Sequence, residues 1–275
     1  MSPERRPRTL RRPSLPVLMM GIAALVWMAG CAVRPPATLP PPLPSPDARA
    51  VLEKVQGINQ GLKTLKGVGR LEIQSPDHRR AARAAWAGSL EAAKFRLDII
   101  GAGLPVASLA GDGRRVYLRQ PDGGVQIRLA ANPRLDDLLG LPVTVADLLH
   151  AMAGRLPEVS YRRFSVHPVP GADGVQVVFY DRLGAPRLQA ALQGPEERLQ
   201  RLVFYRSDGG LHYRVDYGAY RSAGGYRLPH RIAVGDGQRT CRIEVERWWP
   251  DVALGESVFV LKPASQQPPG TDGRP

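Results

Sequence analysis

Apolar and polar residues alternate strictly over several short segments of this chain, and this pattern constrains its fold more than any other feature. The side chains of a β-strand point alternately to opposite faces of the sheet. Strict alternation therefore predicts strands with one buried face and one solvated face, as antiparallel sheets have. The clearest examples are residues 71–73, 95–99, 125–129, 213–217 and 241–245.

Five Asp-Gly pairs separate the predicted strands. An Asp-Gly pair between two alternating segments is the strongest short-range signal for a tight hairpin turn. A series of such hairpins favours a long up-and-down antiparallel sheet. The pairs begin at Asp112, Asp122, Asp173, Asp208 and Asp236.

Two segments have the features of helices. Apolar residues recur at three- and four-residue spacing from Val51 to Leu65, after a Ser-Pro-Asp start at residues 45–47 that is typical of a helix N-terminus. The sequence Thr-Val-Ala-Asp at residues 144–147 is similar to a capping box and predicts a second, short helix that ends near Gly154. Residues 132–139 are ambiguous.

A single sheet of this size has one dry face that two short helices cannot cover. Strongly twisted sheets of about ten strands tend to curl. We therefore predict a mainly β fold with a few helices: an incomplete antiparallel β-barrel of about 10–11 strands with a helical lid over an apolar cavity. The alternative is a closed sandwich of two packed sheets with no cavity.

The first thirty residues have the pattern of an export signal. Arginines within residues 1–14 precede an apolar segment from Val17 to Ala29, and a basic start followed by ~7–15 apolar residues is typical of a signal peptide. A membrane-spanning helix would need ~20 apolar residues. The segment ends in Met-Ala-Gly-Cys at residues 28–31, which resembles the bacterial lipobox. The alternatives are an ordinary signal peptide and an amino-terminal membrane anchor.

Resemblance to Gram-negative lipoproteins implies cleavage before Cys31 and acylation of that cysteine. The next residue is Ala32 rather than aspartate, which by the same resemblance favours the outer membrane. Residues 31–46 contain seven prolines and predict an extended tether. Residues 47–262 are then the folded body, and residues 263–275 a disordered tail.

The composition excludes several classes of function. Two cysteines in 275 residues exclude a disulfide scaffold and a multi-cysteine metal module. The histidines show no metal-ligand spacing, and the chain has no nucleophile elbow and no phosphate-binding glycine loop. We therefore expect no enzyme activity, no cofactor and no metal. Cys241 lies on a predicted dry face and is expected to be a buried, inert thiol.

The net charge of +13 invites a nucleic-acid interpretation. Removal of residues 1–30 lowers the charge to +9, because that segment holds five arginines and one glutamate. The remaining arginines are scattered over wet strand positions rather than clustered on one helix. Export excludes nucleic acid as a partner, and a basic face in the cell envelope favours anionic lipid. A solvated face without a partner is the alternative.

Several short segments of the body form an ordered set of motifs that covers most of it. They are residues 84–86, 94–99, 101–105, 139–143, 217–220, 228–232 and 243–248. This set resembles the LolA/LolB family of periplasmic lipoprotein carriers, and most closely its outer-membrane receptor branch, LolB. The resemblance implies an incomplete antiparallel barrel whose helical lid covers a cavity for the acyl chains of lipoproteins.

The same resemblance implies partners and a location. The protein is expected to be held at the periplasmic face of the outer membrane by a lipid anchor and to receive its cargo from a periplasmic LolA-like carrier. In this family an exposed hydrophobic residue on a protruding loop serves delivery to the membrane. The matching loop is Gly103, Leu104 and Pro105, with Leu104 at its tip. Leu104 folded back into the core is the alternative.

Dry-face residues are the candidates for the lining of the lipid cavity: Trp86, Phe95, Leu97, Ile99, Ile127 and Met152. We expect a monomer that binds acylated lipoproteins or another lipid. Additional strand-like segments between Tyr161 and Tyr213 depart from the family pattern and leave the identity of the lipid open. The alternative function is a non-transporting structural or interaction lipoprotein of an envelope assembly.

Overall fold

The computed structural model describes residues 41–119, 123–130, 132–136, 140–194 and 198–262. The α-helices within these residues are α1 (Ser45–Gly57) and α2 (Val145–Met152). The strands are β1 (Thr64–Gln74), β2 (Arg79–Ser89), β3 (Lys94–Gly101), β4 (Leu104–Gly111), β5 (Arg115–Arg119), β6 (Val125–Leu129), β7 (Arg163–Pro168), β8 (Gly174–Tyr180), β9 (Pro186–Gln193), β10 (Arg198–Tyr205), β11 (Leu211–Ala223), β12 (Tyr226–Gly235) and β13 (Thr240–Pro250). A short 3₁₀ helix spans Glu256–Phe259.

All thirteen described strands belong to one antiparallel sheet. Their order is β6-β5-β4-β3-β2-β1-β13-β12-β11-β10-β9-β8-β7, so β6 and β7 are the two edges and do not pair with each other. The predicted incomplete barrel is confirmed, and the strands do not divide into the two sheets of a sandwich. The sheet is larger than the predicted ten or eleven strands, and the additional segments between Tyr161 and Tyr213 form β7 to β10.

The hairpins turn where the Asp-Gly pairs predict. In the β4–β5 turn, Asp112 Oδ1 accepts hydrogen bonds from the backbone N–H groups of Arg114 (2.9 Å) and Arg115 (2.7 Å). Asp236 holds the β12–β13 turn in the same way. The carboxylate thus satisfies backbone donors that the turn leaves unpaired. Asp122 lies outside the described residues.

One large apolar cluster joins both helices to the strands. From α1 it takes Leu52 and Val55, and from α2 it takes Val145, Leu149 and Met152. The cluster extends over β1 to β4 and β7 to β13, so both halves of the sheet share a single core. In the part of the chain that the structure describes, no helix is long and apolar enough to span a membrane.

Residues 256–262, here called the C-terminal strap, cross the outer side of the sheet at β3 to β5. Lys94 Nζ pairs with Glu256 at 2.7 Å, and Arg96 Nη1 donates to the carbonyl oxygen of Val258 at 3.2 Å. Arg119 Nη2 donates to the carbonyl oxygen of Lys262 at 2.9 Å. Leu261 is buried in a second, small apolar cluster with Ala110 and Tyr117. The strap therefore gives this part of the barrel wall apolar contacts on both faces.

The segment before α1 contacts the edge of the sheet that β7 forms. The backbone N–H of Leu43 donates to the carbonyl oxygen of Val166 in β7 at 2.7 Å. Leu43 also packs against the main core. This contact covers part of an edge that would otherwise offer unpaired backbone groups to other chains.

Candidate functional site

The apolar interior beneath α2 is the candidate lipid site. Its floor comes from alternating residues of the central strands, and its roof is the apolar side of α2. The lining residues are Leu65, Leu71, Trp86, Ala87, Phe95, Arg96, Leu97, Leu109, Leu135, Val145, Leu148, Leu149, Met152, Cys241 and Ile243. Arg96 is the one charged residue among them, but its guanidinium lies on the outer side of the sheet, where it pairs with Asp98 at 2.8 Å and contacts the C-terminal strap. The site offers apolar contacts and no group arranged for covalent chemistry.

The free volume of this interior is only about 40 Å³. Two further spaces adjoin it and share Leu109 with it. One is apolar, measures about 100 Å³ and is lined by Leu71, Leu97 and Ile99, among others. The other measures about 390 Å³ and has a mixed lining, in which Val116 and Leu118 lie beside Gln126, Arg128, Arg134 and Asp136. The apolar space therefore continues from beneath α2 as far as β5, and its lining becomes polar at the β6 edge of the sheet.

α2 closes the interior through its cap and through close packing. Thr144 Oγ1 accepts the backbone N–H of Asp147 at 3.2 Å and donates to Asp147 Oδ2 at 2.8 Å, which is the predicted capping arrangement. At the roof, Leu149 packs on Gly88 of β2 so closely that a Cβ at position 88 would lie 2.3 Å from Leu149 Cδ2. A side chain at position 88 would therefore require Leu149 to change its conformation or α2 to move away from the sheet.

Trp86 is held in the floor by a second tryptophan. The rings of Trp86 and Trp248 meet edge to face, with 5.6 Å between their centroids. Trp248 Nε1 donates to the carbonyl oxygen of Pro229 at 3.0 Å, which fixes its orientation. Gly67 lies beneath both rings, where a Cβ would stand 2.4 Å from Trp86 Nε1. Trp248 is itself buried.

Five of the six cavity candidates face the apolar interior. Trp86, Phe95, Leu97 and Met152 line the space beneath α2, and Ile99 lines the adjoining space. The exception is Ile127, which is 52% exposed. Ile127 is paired with Tyr117, and residues paired across neighbouring strands share a face.

The prediction that Ile127 of β6 lines the cavity is therefore wrong. Leu109, Leu118 and Gln126 stand opposite one another on the inner face of β4, β5 and β6. Tyr117 and Ile127 lie on the outer face, where the C-terminal strap supplies the apolar neighbours of Tyr117. Alternation reveals the period of a strand, but which face is covered depends on what packs there.

The loop assigned to membrane delivery is a tight hairpin between β3 and β4. Gly101 pairs with Leu104, and the two residues between them, Ala102 and Gly103, have φ of 49° and 84°. Positive φ at both central positions is typical of a two-residue hairpin turn. Leu104 is 72% exposed and Pro105 is also exposed, so Leu104 does not fold back into the core.

The structure describes one of the two cysteines. Cys31 lies outside the described residues. Cys241 lines the apolar interior, is 1% exposed and forms no disulfide. Burial raises the pKa of its thiol to about 12, so it stays protonated and unreactive. The structure thus agrees with the predicted inert thiol.

A polar space of about 690 Å³ lies on the other side of α2, between this helix and α1. His150 of α2 is buried there, with Nδ1 3.2 Å from the carbonyl oxygen of Leu156 and Nε2 3.3 Å from Arg155 Nη2. Because Arg155 can only donate, Nε2 accepts and Nδ1 carries the hydrogen. Burial, and then the charge of Arg155, lower the pKa of His150 below its ordinary value. No pattern in the sequence indicates this pair, because Arg155 follows the end of α2 and meets His150 only in the folded chain.

The neutral His150 predicts a loss of stability in mild acid. The unfolded chain takes up a proton at this residue near pH 6.5, whereas the folded chain does so only at lower pH. The free energy of unfolding therefore falls as pH decreases below about 6.5, by up to ~1.4 kcal/mol per pH unit for one group. Urea unfolding of wild type and His150→Gln across this range measures the slope, which should be smaller in the variant. An unchanged slope would contradict this assignment. His212, whose pKa burial also lowers, keeps part of the slope in both proteins.

The described residues contain no group of three or more His, Cys, Asp or Glu side chains that could hold a metal ion. The residues that sequence reasoning missed in the apolar interior include Leu71, Leu109, Leu135, Leu149 and Ile243. Leu71 and Ile243 belong to alternating segments, so the period could have identified them. Leu135 lies in the segment that the sequence left ambiguous.

No family model and no curated protein matches this chain. Among solved structures, it is similar to one described as an outer membrane lipoprotein-sorting protein domain from Vibrio parahaemolyticus, with 11% identity, a TM-score of 0.55, and coverage of 78% of this chain and 96% of that one. It is also similar to a LolA superfamily protein from Nitrosomonas europaea, with 16% identity, a TM-score of 0.50, and coverage of 78% and 97%. A DUF1329 family protein from Desulfovibrio piger matches with 10% identity, a TM-score of 0.50, and coverage of 77% and 95%. At these identities the likeness establishes the fold: the chain has the open antiparallel barrel of LolA-superfamily structures.

Proposed function

We propose that this chain is a lipoprotein, anchored in the outer membrane through an acylated Cys31, that binds acyl chains in the apolar interior beneath α2. It accepts lipoproteins, or another lipid, from a periplasmic LolA-like carrier and inserts them at the periplasmic face of the outer membrane. The observation that carries the proposal is an apolar interior closed by one short helix, α2. The description of the Vibrio structure as a lipoprotein-sorting domain supports the same class of cargo.

Binding in such a site is driven by burial of apolar surface. Each CH₂ group of an acyl chain contributes ~0.8 kcal/mol when it leaves water. The free volume of about 40 Å³ is too small for an acyl chain, since pockets for small ligands measure ~300–1,000 Å³. α2 must therefore move away from the sheet before a chain enters. The chain then replaces the contacts that Leu148, Leu149 and Met152 make in the closed interior.

The small closed volume also favours the second candidate function. A protein whose barrel is filled by its own helix could serve as a structural or interaction lipoprotein of an envelope assembly, without transport. The two functions differ in one property, because a carrier must bind an acyl chain saturably and a filled scaffold must not. Mass spectrometry of lipids that co-purify with the protein would identify a natural ligand.

A two-step transfer assay tests the proposed function. The full chain with Cys31→Ala is first titrated with a fluorescent acylated peptide and then mixed with vesicles that carry an energy-transfer acceptor. We expect saturable binding, followed by delivery. Leu104→Glu should bind equally well but deliver at least about tenfold more slowly, because a carboxylate resists entry into the bilayer.

The matched control is Ile127→Glu, which places the same charge at another exposed residue of the barrel wall. This variant should bind and deliver as wild type does. Absence of saturable binding would favour the scaffold function. Normal delivery by Leu104→Glu would show that the β3–β4 hairpin does not serve delivery.

A further inference from the structure

The β8–β9 hairpin presents a leucine almost entirely to solvent. Leu183 is 94% exposed, which is the highest value among the large exposed hydrophobic residues of the described chain. The turn beneath it is well ordered by hydrogen bonds, because Asp181 Oδ1 accepts the backbone N–H groups of Leu183 (2.9 Å) and Ala185 (3.0 Å). Gly184 follows with φ of 82°. The turn thus fixes an apolar side chain where nothing in the folded chain covers it.

Three arginines surround this tip. Arg182 is adjacent in sequence, and Arg162 and Arg163 lie on the neighbouring strand end, where the N–H of Arg162 donates to the carbonyl oxygen of Tyr180 at 2.8 Å. The guanidinium of Arg163 stacks over the ring of Tyr180, 4.4 Å from its centroid. All three arginines are exposed, and within the described residues none of them forms an ion pair.

A tyrosine completes the surface. Tyr161 is 38% exposed, and its ring packs edge to face on Phe179 with 5.0 Å between centroids. We call Tyr161, Arg162, Arg163, Arg182 and Leu183 the Leu183 patch. Asp181, the carboxylate nearest to the patch in sequence, accepts hydrogen bonds from the backbone of the turn, and its one negative charge is outnumbered by the three arginines. The patch therefore combines an excess of positive charge with a protruding apolar tip.

The sheet topology places the Leu183 patch at the same end of the barrel as Leu104. Neighbouring strands run antiparallel throughout, so the β3–β4, β8–β9 and β10–β11 turns all lie at one end. Five of the seven large exposed hydrophobic residues in the described chain are at this end: Leu104, Val106, Tyr161, Leu183 and Leu211. The two hairpins stand near opposite edges of the sheet, on either side of the gap between β6 and β7.

We propose that the Leu183 patch is a second membrane contact, which binds the surface of an anionic phospholipid bilayer. Leucine enters the acyl region, tyrosine occupies the interface and arginines pair with lipid phosphates. A bilayer accepts a single convex tip, whereas a folded protein partner would need a complementary groove or face. The proposal goes beyond acyl-chain binding and holds for the protein without cargo.

A fluorescent reporter at the tip tests this proposal. The full chain with Cys31→Ser and Leu183→Cys is labelled with an environment-sensitive NBD probe, and Cys241 is too deeply buried to react. We expect emission to rise with vesicles that contain phosphatidylglycerol and to change little with phosphatidylcholine alone. The additional changes Arg162→Gln and Arg182→Gln should raise the half-saturating lipid concentration about 30-fold.

The control places the probe at Ala172, an exposed residue of the β7–β8 turn at the opposite end of the barrel. This reporter should not respond to either kind of vesicle. The proposal is overturned if the tip gives no increase, if the two vesicle types act equally, or if soluble polyglutamate produces the response and vesicles do not. Cargo-free protein is used throughout, so the result is independent of the acyl-binding titration.

Discussion

A disulfide between α2 and the sheet is expected to abolish acyl-chain binding, and its reduction to restore it. The pair is Gly88→Cys with Leu149→Cys. A Cβ at position 88 would lie 3.6 Å from the present Leu149 Cγ, which is close to where the sulfur of a cysteine at 149 would stand. Only a small adjustment is needed to form the bond. Once formed, the bond holds the roof of the interior in place, so α2 cannot move away from the sheet to admit a chain.

The measurement is titration with a fluorescent acylated peptide under oxidising and reducing conditions. A background of Cys31→Ser and Cys241→Ala removes competing thiols, since Cys241 lines the same space. The single variant Gly88→Cys is the control, and its binding should not depend on the redox conditions. If the oxidised double variant binds as tightly as the reduced one, acyl chains do not enter beneath α2. Loss of binding in both conditions would instead report damage to the fold, which thermal unfolding would reveal.

Gly69→Ala is expected to destabilise the protein by about 3 kcal/mol or more, because the change inserts an atom into a space that rigid backbone already occupies. Gly69 sits at a register shift between β1 and β13, the pair at the centre of the sheet. A Cβ there would lie 2.1 Å from the carbonyl oxygen of Glu244 and 3.0 Å from Val245 Cα. Neither atom can move without disturbing the strand pairing.

Thermal unfolding of the full chain measures this effect, and the midpoint should fall by about 10 °C for a domain of this size. The matched control is Gly57→Ala at the end of α1, where nothing lies within 4 Å of a new Cβ. That variant should be unchanged or slightly more stable, because alanine restricts the unfolded chain more than glycine does. Equal midpoints for Gly69→Ala and wild type would mean that the bulge relaxes to accept a side chain.

Local patterns in the sequence predict much of this fold. Alternation on β3 places Phe95 and Leu97 in the interior, as the structure shows, and the Thr144 cap correctly marks the start of α2. The curled sheet follows from a burial argument, since two helices cannot cover so many strands. The first two features depend on residues close together in the chain, and the curled sheet depends only on the number of strands and helices, so the sequence is sufficient to predict all three.

Features that depend on distant partners were not predictable in the same way. Ile127 alternates as regularly as Leu97 does, yet it faces outward, because the apolar neighbours of its strand pair come from residues more than a hundred positions away. The closure of the cavity depends on how deeply Leu149 reaches towards Gly88. The Leu183 patch arises from the ends of three strands. In the sequence, its arginines cannot be distinguished from other arginines at solvated strand positions.

The hydrogen bond between Leu43 and Val166 has a mechanical consequence for the proposed anchor. Eleven residues lie between Cys31 and Leu43, so the tether between the acyl anchor and the body reaches at most about 40 Å. A tether this short would hold the body near the bilayer at an effective concentration on the order of millimolar. The contacts at Leu104 and Leu183 can then each have low affinity and dissociate quickly. The barrel can bind the bilayer surface and release it many times while the anchor stays in the membrane.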